Sequence, residues 1–277
     1  MPPLRLQHLH LPSLPPSHFP PYSLASKLQT LLRRQHLNFK DSPPSSNQPP
    51  PPPALITFTP LPIYTLGRRQ SSPLSPAELT RLSHPLSYAG TTLPVGTAHS
   101  PRGGLTTYHG PGQVVLWPVL DIHSKHHKQF TVRCYSRLLE STTISTLEKM
   151  FSIKAFITAD PGVWTNVGEE EEERKIAALG VHLRRHVSGL GTAINVDMPP
   201  TEVTDERINP WKRIVACGIE GRGVTCVREQ LPRGGELAER IEVDGVEKIS
   251  GEKVVRLLGE AMEKSEEGGK GGRRGGM

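Results

Sequence analysis

The 277-residue sequence lacks most of the features that assign a chain to a class at sight. It has no run of about 18 apolar residues, so no membrane-spanning helix is expected. Its three cysteines, Cys134, Cys217 and Cys226, are an odd number at no metal-site spacing. That argues against a disulfide framework or a metal centre and for a reducing compartment. There is no GK[ST] phosphate loop and no GxGxxG dinucleotide loop. Acidic residues are missing from the first 40 positions, where Arg5, Lys27, Arg33, Arg34 and Lys40 are all basic. No basic stripe interleaved with aromatics accompanies the net charge of +6, so nucleic acid is not an expected partner.

Proline is in excess, 28 residues, and much of it sits in DSPPSSNQPPPPP, which ends at Pro53. Such a segment can neither continue a helix nor pair in a sheet, and reads as an exposed loop over 42–53. Before it, the spacing of Leu24, Leu28, Leu31 and Leu32 predicts a helix over about 23–39. The acid-poor segment 1–22 reads either as a targeting extension or as a first strand, and both stay open.

After the loop, ALITFTPLPIYTLG predicts two short strands and VVLWPVLDI a buried one. Val132, Tyr135, Leu138, Leu139 and Leu147 mark a long amphipathic helix. IKAFITA, GVWT, KIAALGVHLRRHVS and GTAINVDM read as further strands, and 168–173 as a solvated acidic loop. The last helix is expected over Gly251–Lys264, within a catalytic domain of 23–263, and 264–277 as a disordered glycine-rich tail. Helices and strands mix without a βαβ repeat, so the expected class is α+β with a mixed, largely antiparallel sheet and flanking helices. His123 and His126 lie among lysines without a carboxylate or cysteine at ligand spacing, so no metal is expected.

Two features could carry chemistry. RGGLTTYHGPGQ, Arg102 to Gln113, holds four glycines, so backbone must approach either a ligand or another strand; the residues alone leave both open. Cys217, in IVACG, stands beside Gly218 at the end of an apolar run, either as a nucleophile at a cleft or as a packed thiol. Cys226, in the alternating GVTCVRE, reads as a small packed hydrophobe.

RGGLTTYHGPGQ with VVLWPVLDI, PIYTLGRR upstream, RKIAALGVHLRRHVSGLGTAINV and ACGIEG together resemble the lipoyl(octanoyl) transferases, in the order that family shows. The resemblance spans roughly Leu24 to Val227. It implies the fold shared by biotin protein ligases and lipoate ligases. It implies octanoyl transfer from acyl carrier protein to a lysine on the lipoyl domains of 2-oxo acid dehydrogenase complexes and the glycine cleavage H protein.

The same resemblance assigns residues. Cys217 matches the nucleophile and Lys175 the lysine that favours its thiolate. Substrate contacts fall on Arg102, Gly103, Gly104, Leu105, Thr106, Thr107, Tyr108 and His109, on Ala178, Leu179 and Gly180, and on Gly191, Thr192 and Ala193. Ala216 stands where the family often has proline, whereas Gly218 is retained.

No cofactor is implied, because the donor carries its acyl group on phosphopantetheine and is already activated. A monomer in mitochondria, with no membrane or nucleic-acid partner, is the matching expectation. An ATP-dependent lipoate or biotin ligase is the alternative on the same fold, and a non-catalytic lipoyl-domain or acyl-carrier binding protein the alternative of another class.

Overall fold

The computed structural model describes residues 5–15, 18–43, 48–70, 73–125, 129–169, 171–214 and 222–232. The proposed nucleophile Cys217, the expected helix over Gly251–Lys264 and the tail 264–277 lie outside the described residues. In chain order the elements are β1 (Gln7–Leu11), α1 (Tyr22–Asp41), β2 (Ala54–Phe58), β3 (Ile63–Leu66) and α2 (Pro76–Ser83). Next come β4 (Leu86–Tyr88), β5 (Thr91–Leu93), β6 (Gly96–His99), β7 (Thr107–His109) and β8 (Gln113–Val119). Then follow α3 (Val132–Phe151), β9 (Val163–Val167), β10 (Glu172–Arg184), β11 (Val187–Asn195), a 3-10 turn at Pro210–Arg213 and α4 (Val227–Gln230).

Six strands form the main sheet in the order β1-β2-β8-β11-β10-β9. Only β1 and β2 run parallel; the other four neighbour pairs are antiparallel, as the sequence suggested. A second sheet, β6-β3-β7, carries Thr107–His109 of the glycine-rich motif, whose last residue, Gln113, opens β8.

The sheet is covered on both faces because its strands alternate between two apolar clusters. Val114 and Leu116 of β8 and Ile194 of β11 pack with Tyr135, Leu139 and Leu147 of α3. Val115, Trp117 and Val119 of β8 and Ala193 of β11 face Tyr22 and Ala25 of α1 instead. Helix α1 forms as the leucine spacing predicts, but its stripe follows the leucines only in part: Leu28 and Leu32 pack on this cluster, Leu24 and Leu31 are exposed, and Tyr22 and Ala25 are buried in their place. Helix α2 starts at a capping box, in which the Ser75 hydroxyl accepts the Glu78 N–H and the Glu78 carboxylate accepts the Ser75 N–H.

Three readings change. Of the two left open for residues 1–22, the strand is present: β1 pairs residue by residue with β2 and makes one βαβ unit across α1. The acidic loop is shorter than 168–173. Glu172 and Glu173 lie in β10, opposite Val167 and Asn166, and their carboxylates pair with Arg174 and Arg222. IKAFITA is not a strand; Phe156 makes a single bridge with Trp164. No helix among the described residues is long and apolar enough to cross a membrane. No group of three or more possible metal ligands occurs among them.

Candidate active site

Strand β10 organises the site through one irregularity. Its pairing with β9 shifts register between Lys175 and Ala177. An extra residue in a strand breaks the strict alternation of faces. Ile176 and Ala177 are accordingly both fully buried in the cluster against α3, with Leu179, Val181 and Leu183 packed beside them. Lys175 therefore shares the other face of the sheet with Ala178 and Gly180, although five residues separate it from Gly180. At about 3.3 Å per residue, that separation is about 15 Å along the strand. Without the bulge the lysine and the glycine would lie on opposite faces.

Across the ladder, Ala178 pairs with Ala193, Leu179 with Thr192 and Gly180 with Gly191. The two segments implied as substrate contacts are thus cross-strand partners. Gly180 also meets the glycine-rich loop, since a Cβ there would lie 2.8 Å from Cδ of Arg102. Gly191 serves the sheet itself: a Cβ would lie 2.2 Å from the carbonyl oxygen of Leu116 in β8.

Arg102 is buried and holds its own loop together. Its guanidinium donates to the carbonyls of Gly103 (3.0 Å), Leu105 (2.8 Å) and Thr65 (2.6 Å), and to the Thr65 hydroxyl (2.9 Å). The loop backbone passes so close to Gly67 that a Cβ there would stand 2.4 Å from the Gly104 oxygen. Gly104 adopts φ +80°, the left-handed region that favours glycine. A Cβ on Gly103, by contrast, would meet nothing within 4 Å. The structure shows the close approach of this loop to the backbone at Gly67, and open space beside Gly103.

Leu105 and Thr106 line a cavity of about 390 Å³, together with Gln70, Leu74, Arg213 and Ile214. That volume falls within the range of small-molecule pockets. Thr107, Tyr108 and His109 form β7 and are buried. Tyr108 packs with Tyr64 and Trp211 and borders a different cavity of about 950 Å³, which Cys226 also lines. His109 stacks on Tyr22 of α1 at 6.0 Å between centroids.

Burial, and then the Arg102 guanidinium, push His109 down to about 3 from its ordinary value near 6.5. The unfolded imidazole takes up its proton near pH 6.5, the folded one only near 3, so stability falls as pH drops through that window. The slope from this residue is at most about 1.4 kcal/mol per pH unit. His109→Gln is expected to flatten the loss of stability between pH 7 and 5 in urea unfolding; equal losses in the two proteins would contradict this.

Lys175 is buried at the start of the site. Its ammonium donates to the Pro161 carbonyl at 3.0 Å and lies 4.7 Å from the centre of the Trp164 ring. Its backbone N–H donates to Gly223, and its carbonyl accepts the Thr225 N–H, both at 3.0 Å. Lys175 is thereby joined to the segment that begins at Arg222, five residues after Cys217. The chain runs toward Cys217 from Ile214, which lines the same cavity as Leu105 and Thr106.

Residues not singled out from the sequence complete this frame. The Gln113 amide donates to Asn195 at 2.8 Å, and Asn195 donates to the Thr225 carbonyl at 2.9 Å. The last residue of RGGLTTYHGPGQ thus connects, through buried amides, to the segment bonded to Lys175. A polar Asn inside the apolar run GTAINV was the available signal. Of the other two cysteines, Cys134 is exposed at the start of α3. Cys226 is buried, as expected, and burial pushes its thiol up to about 11.

Comparison with known proteins places this frame. The lipoyl protein ligase A/B catalytic domain matches residues 44–249. The chain is 34% identical over 212 residues to the mitochondrial octanoyl-[acyl-carrier-protein]:protein N-octanoyltransferase of Danio rerio, covering 76% of this chain and 79% of that one. It is 32% identical over 213 residues to a probable octanoyltransferase of Schizosaccharomyces pombe, covering 76% and 81%. Among solved structures, P. falciparum LipL1 in complex with lipoate is similar in fold, with a TM-score of 0.53 at 11% identity, covering 98% of this chain and 64% of that one. The fold is therefore α+β of the lipoate-ligase type, and the chain belongs to the lipoyl protein ligase A/B catalytic-domain family as an acyltransferase of the octanoyltransferase group.

Proposed function

We propose that this enzyme takes an octanoyl group from octanoyl-acyl carrier protein onto Cys217 and passes it to a lysine of a lipoyl domain. The observation that carries this reading is the joining of Lys175, through two backbone hydrogen bonds, to the segment that follows Cys217. In the first step the Cys217 thiolate attacks the donor thioester carbonyl, and the leaving phosphopantetheine thiolate takes a proton from the Lys175 ammonium, which becomes neutral. In the second, the amine of the acceptor lysine attacks the enzyme thioester, an amide forms and Cys217 is released as thiolate.

An ordinary cysteine with pKa about 8.5 is mostly thiol at neutral pH. An ammonium about 4 Å away, at an effective dielectric of about 20, supplies up to about 4 kcal/mol toward the thiolate. Neutral Lys175 then accepts the proton released by the attacking amine. The acyl chain lies along the loop at Arg102–Thr106 and the paired segments 178–180 and 191–193. Each methylene it buries contributes about 0.8 kcal/mol. Thr107, Tyr108 and His109 support that loop from beneath.

No cofactor enters this scheme, and the enzyme works as a monomer. The acceptors are the lipoyl domains of 2-oxo acid dehydrogenase complexes and the glycine cleavage H protein. The site of action is mitochondrial, a reading supported by the mitochondrial designation of the Danio rerio and Saccharomyces cerevisiae relatives.

A direct assay separates transfer from ligation. The enzyme should octanoylate an apo lipoyl domain from octanoyl-acyl carrier protein without ATP, and should leave free octanoate unused with ATP. Modification that requires ATP and free acid would replace this reading with that of a ligase.

A further inference from the structure

Trp164 is fully buried, yet it belongs to none of the three apolar clusters formed by the described residues. Its surroundings are ionic. The Lys175 ammonium lies 4.7 Å from the ring centre and the Arg222 guanidinium carbon 4.4 Å. The indole N–H donates to the Asp160 carbonyl at 3.2 Å. The carboxylate of the same Asp160 pairs with Arg222, which also pairs with Glu173 at 3.1 Å. One residue later, the Pro161 carbonyl accepts from Lys175.

The loop that supplies these groups is fixed from the other side. Gly162 has φ +123°, and a Cβ there would lie 2.6 Å from the Ala177 oxygen and 3.3 Å from Cε of Lys175. Its N–H donates to the buried carboxylate of Glu140 in α3 at 3.2 Å. The backbone can turn so tightly against the lysine only because no side chain intervenes.

We propose that Trp164 is a positioning residue: its ring, locked by Asp160, holds the Lys175 ammonium and the Arg222 guanidinium in one fixed arrangement beside the segment that follows Cys217. An indole is the strongest of the aromatic faces for a cation, and desolvation strengthens the attraction. The ring draws the lysine to one place without neutralising it, as a carboxylate in that position would. The Pro161 carbonyl accepts a hydrogen bond from the ammonium and so fixes its direction as well. Arg222, at the start of the described segment after Cys217, ties that segment to the same ring. The inference rests on the proposed role of Lys175 beside Cys217.

The test reads the ammonium through the thiol. In a Cys134→Ser background, the pH dependence of Cys217 alkylation by iodoacetamide is followed by peptide mass spectrometry. Trp164→Leu should raise the alkylation midpoint by about 0.5 to 1.5 pH units, toward that of Lys175→Ala. Trp164→Phe keeps an aromatic face without the N–H, and should raise it by less. In transfer assays kcat should fall while KM for octanoyl-acyl carrier protein holds.

Should Trp164→Leu fail to fold, Trp164→Phe carries the comparison. A wild-type midpoint in the folded Trp164 variants, with a raised midpoint in Lys175→Ala, overturns this proposal alone. A wild-type midpoint in Lys175→Ala overturns the reading on which it rests.

Discussion

Lys175→Ala is expected to lower octanoyl transfer at pH 7 by about 100- to 10,000-fold, the range for loss of a positioned proton-transfer group. Two effects combine. The Cys217 thiolate loses its neighbouring cation, so its titration moves up by as much as about 3 pH units before solvent screening. The attacking amine of the acceptor also loses its base. Raising the pH should restore the first half-reaction, because hydroxide can ionise the thiol, but should restore the second only in part. Single-turnover acylation and deacylation, measured between pH 7 and 9.5, check this. A variant with wild-type rates in both steps at pH 7 would remove Lys175 from the mechanism. Stability should also fall modestly, since the loss removes the cation from the Trp164 ring and the ammonium donor from the Pro161 carbonyl.

Arg102→Lys is expected to unfold about 6 to 12 °C lower than the wild type. Arg102 holds two loop carbonyls, the Thr65 carbonyl and the Thr65 hydroxyl with a planar fork. A lysine head group cannot span that set. Hydrogen bonds to a charged group contribute about 1.5–3 kcal/mol each, and stranded buried acceptors cost about 1–3 kcal/mol. A loss of at least about 3 kcal/mol follows, at about 2–4 °C per kcal/mol for a chain near this size. The same variant should weaken donor binding, because the loop that it loosens contains Leu105 and Thr106 of the 390 Å³ cavity. An unaltered melting temperature would mean that the four bonds carry no net stability.

The sequence was most legible where a single periodicity governs an element. The apolar run of β8 and most of the α3 stripe lie on the faces the pattern requires, as do Leu28 and Leu32 of α1, while Leu24, Leu31 and Val132 are exposed. It was less legible where an outcome depends on a distant partner. Residues 7–11 read as either a targeting extension or a first strand, and only their pairing with β2 across an intervening helix shows the strand. Glu172 and Glu173 look like solvent loop until Arg174 and Arg222 are seen to hold them.

The site divides in the same way. The glycine-rich loop, the two β-segments and the lysine could be named from their motifs. Three things could not: the bulge that puts Lys175 on the face of Gly180, the Gln113–Asn195–Thr225 chain of amides, and the ionic surroundings of Trp164. Each is a contact between segments that share no local pattern.

The central claim is that acyl transfer proceeds through Cys217. Purified enzyme incubated with octanoyl-acyl carrier protein, without ATP or acceptor, should gain one octanoyl group by intact mass. Hydroxylamine should remove it, an apo lipoyl domain should take it up, and Cys217→Ala should not form it. An undiminished, transferable adduct in Cys217→Ala would contradict the account.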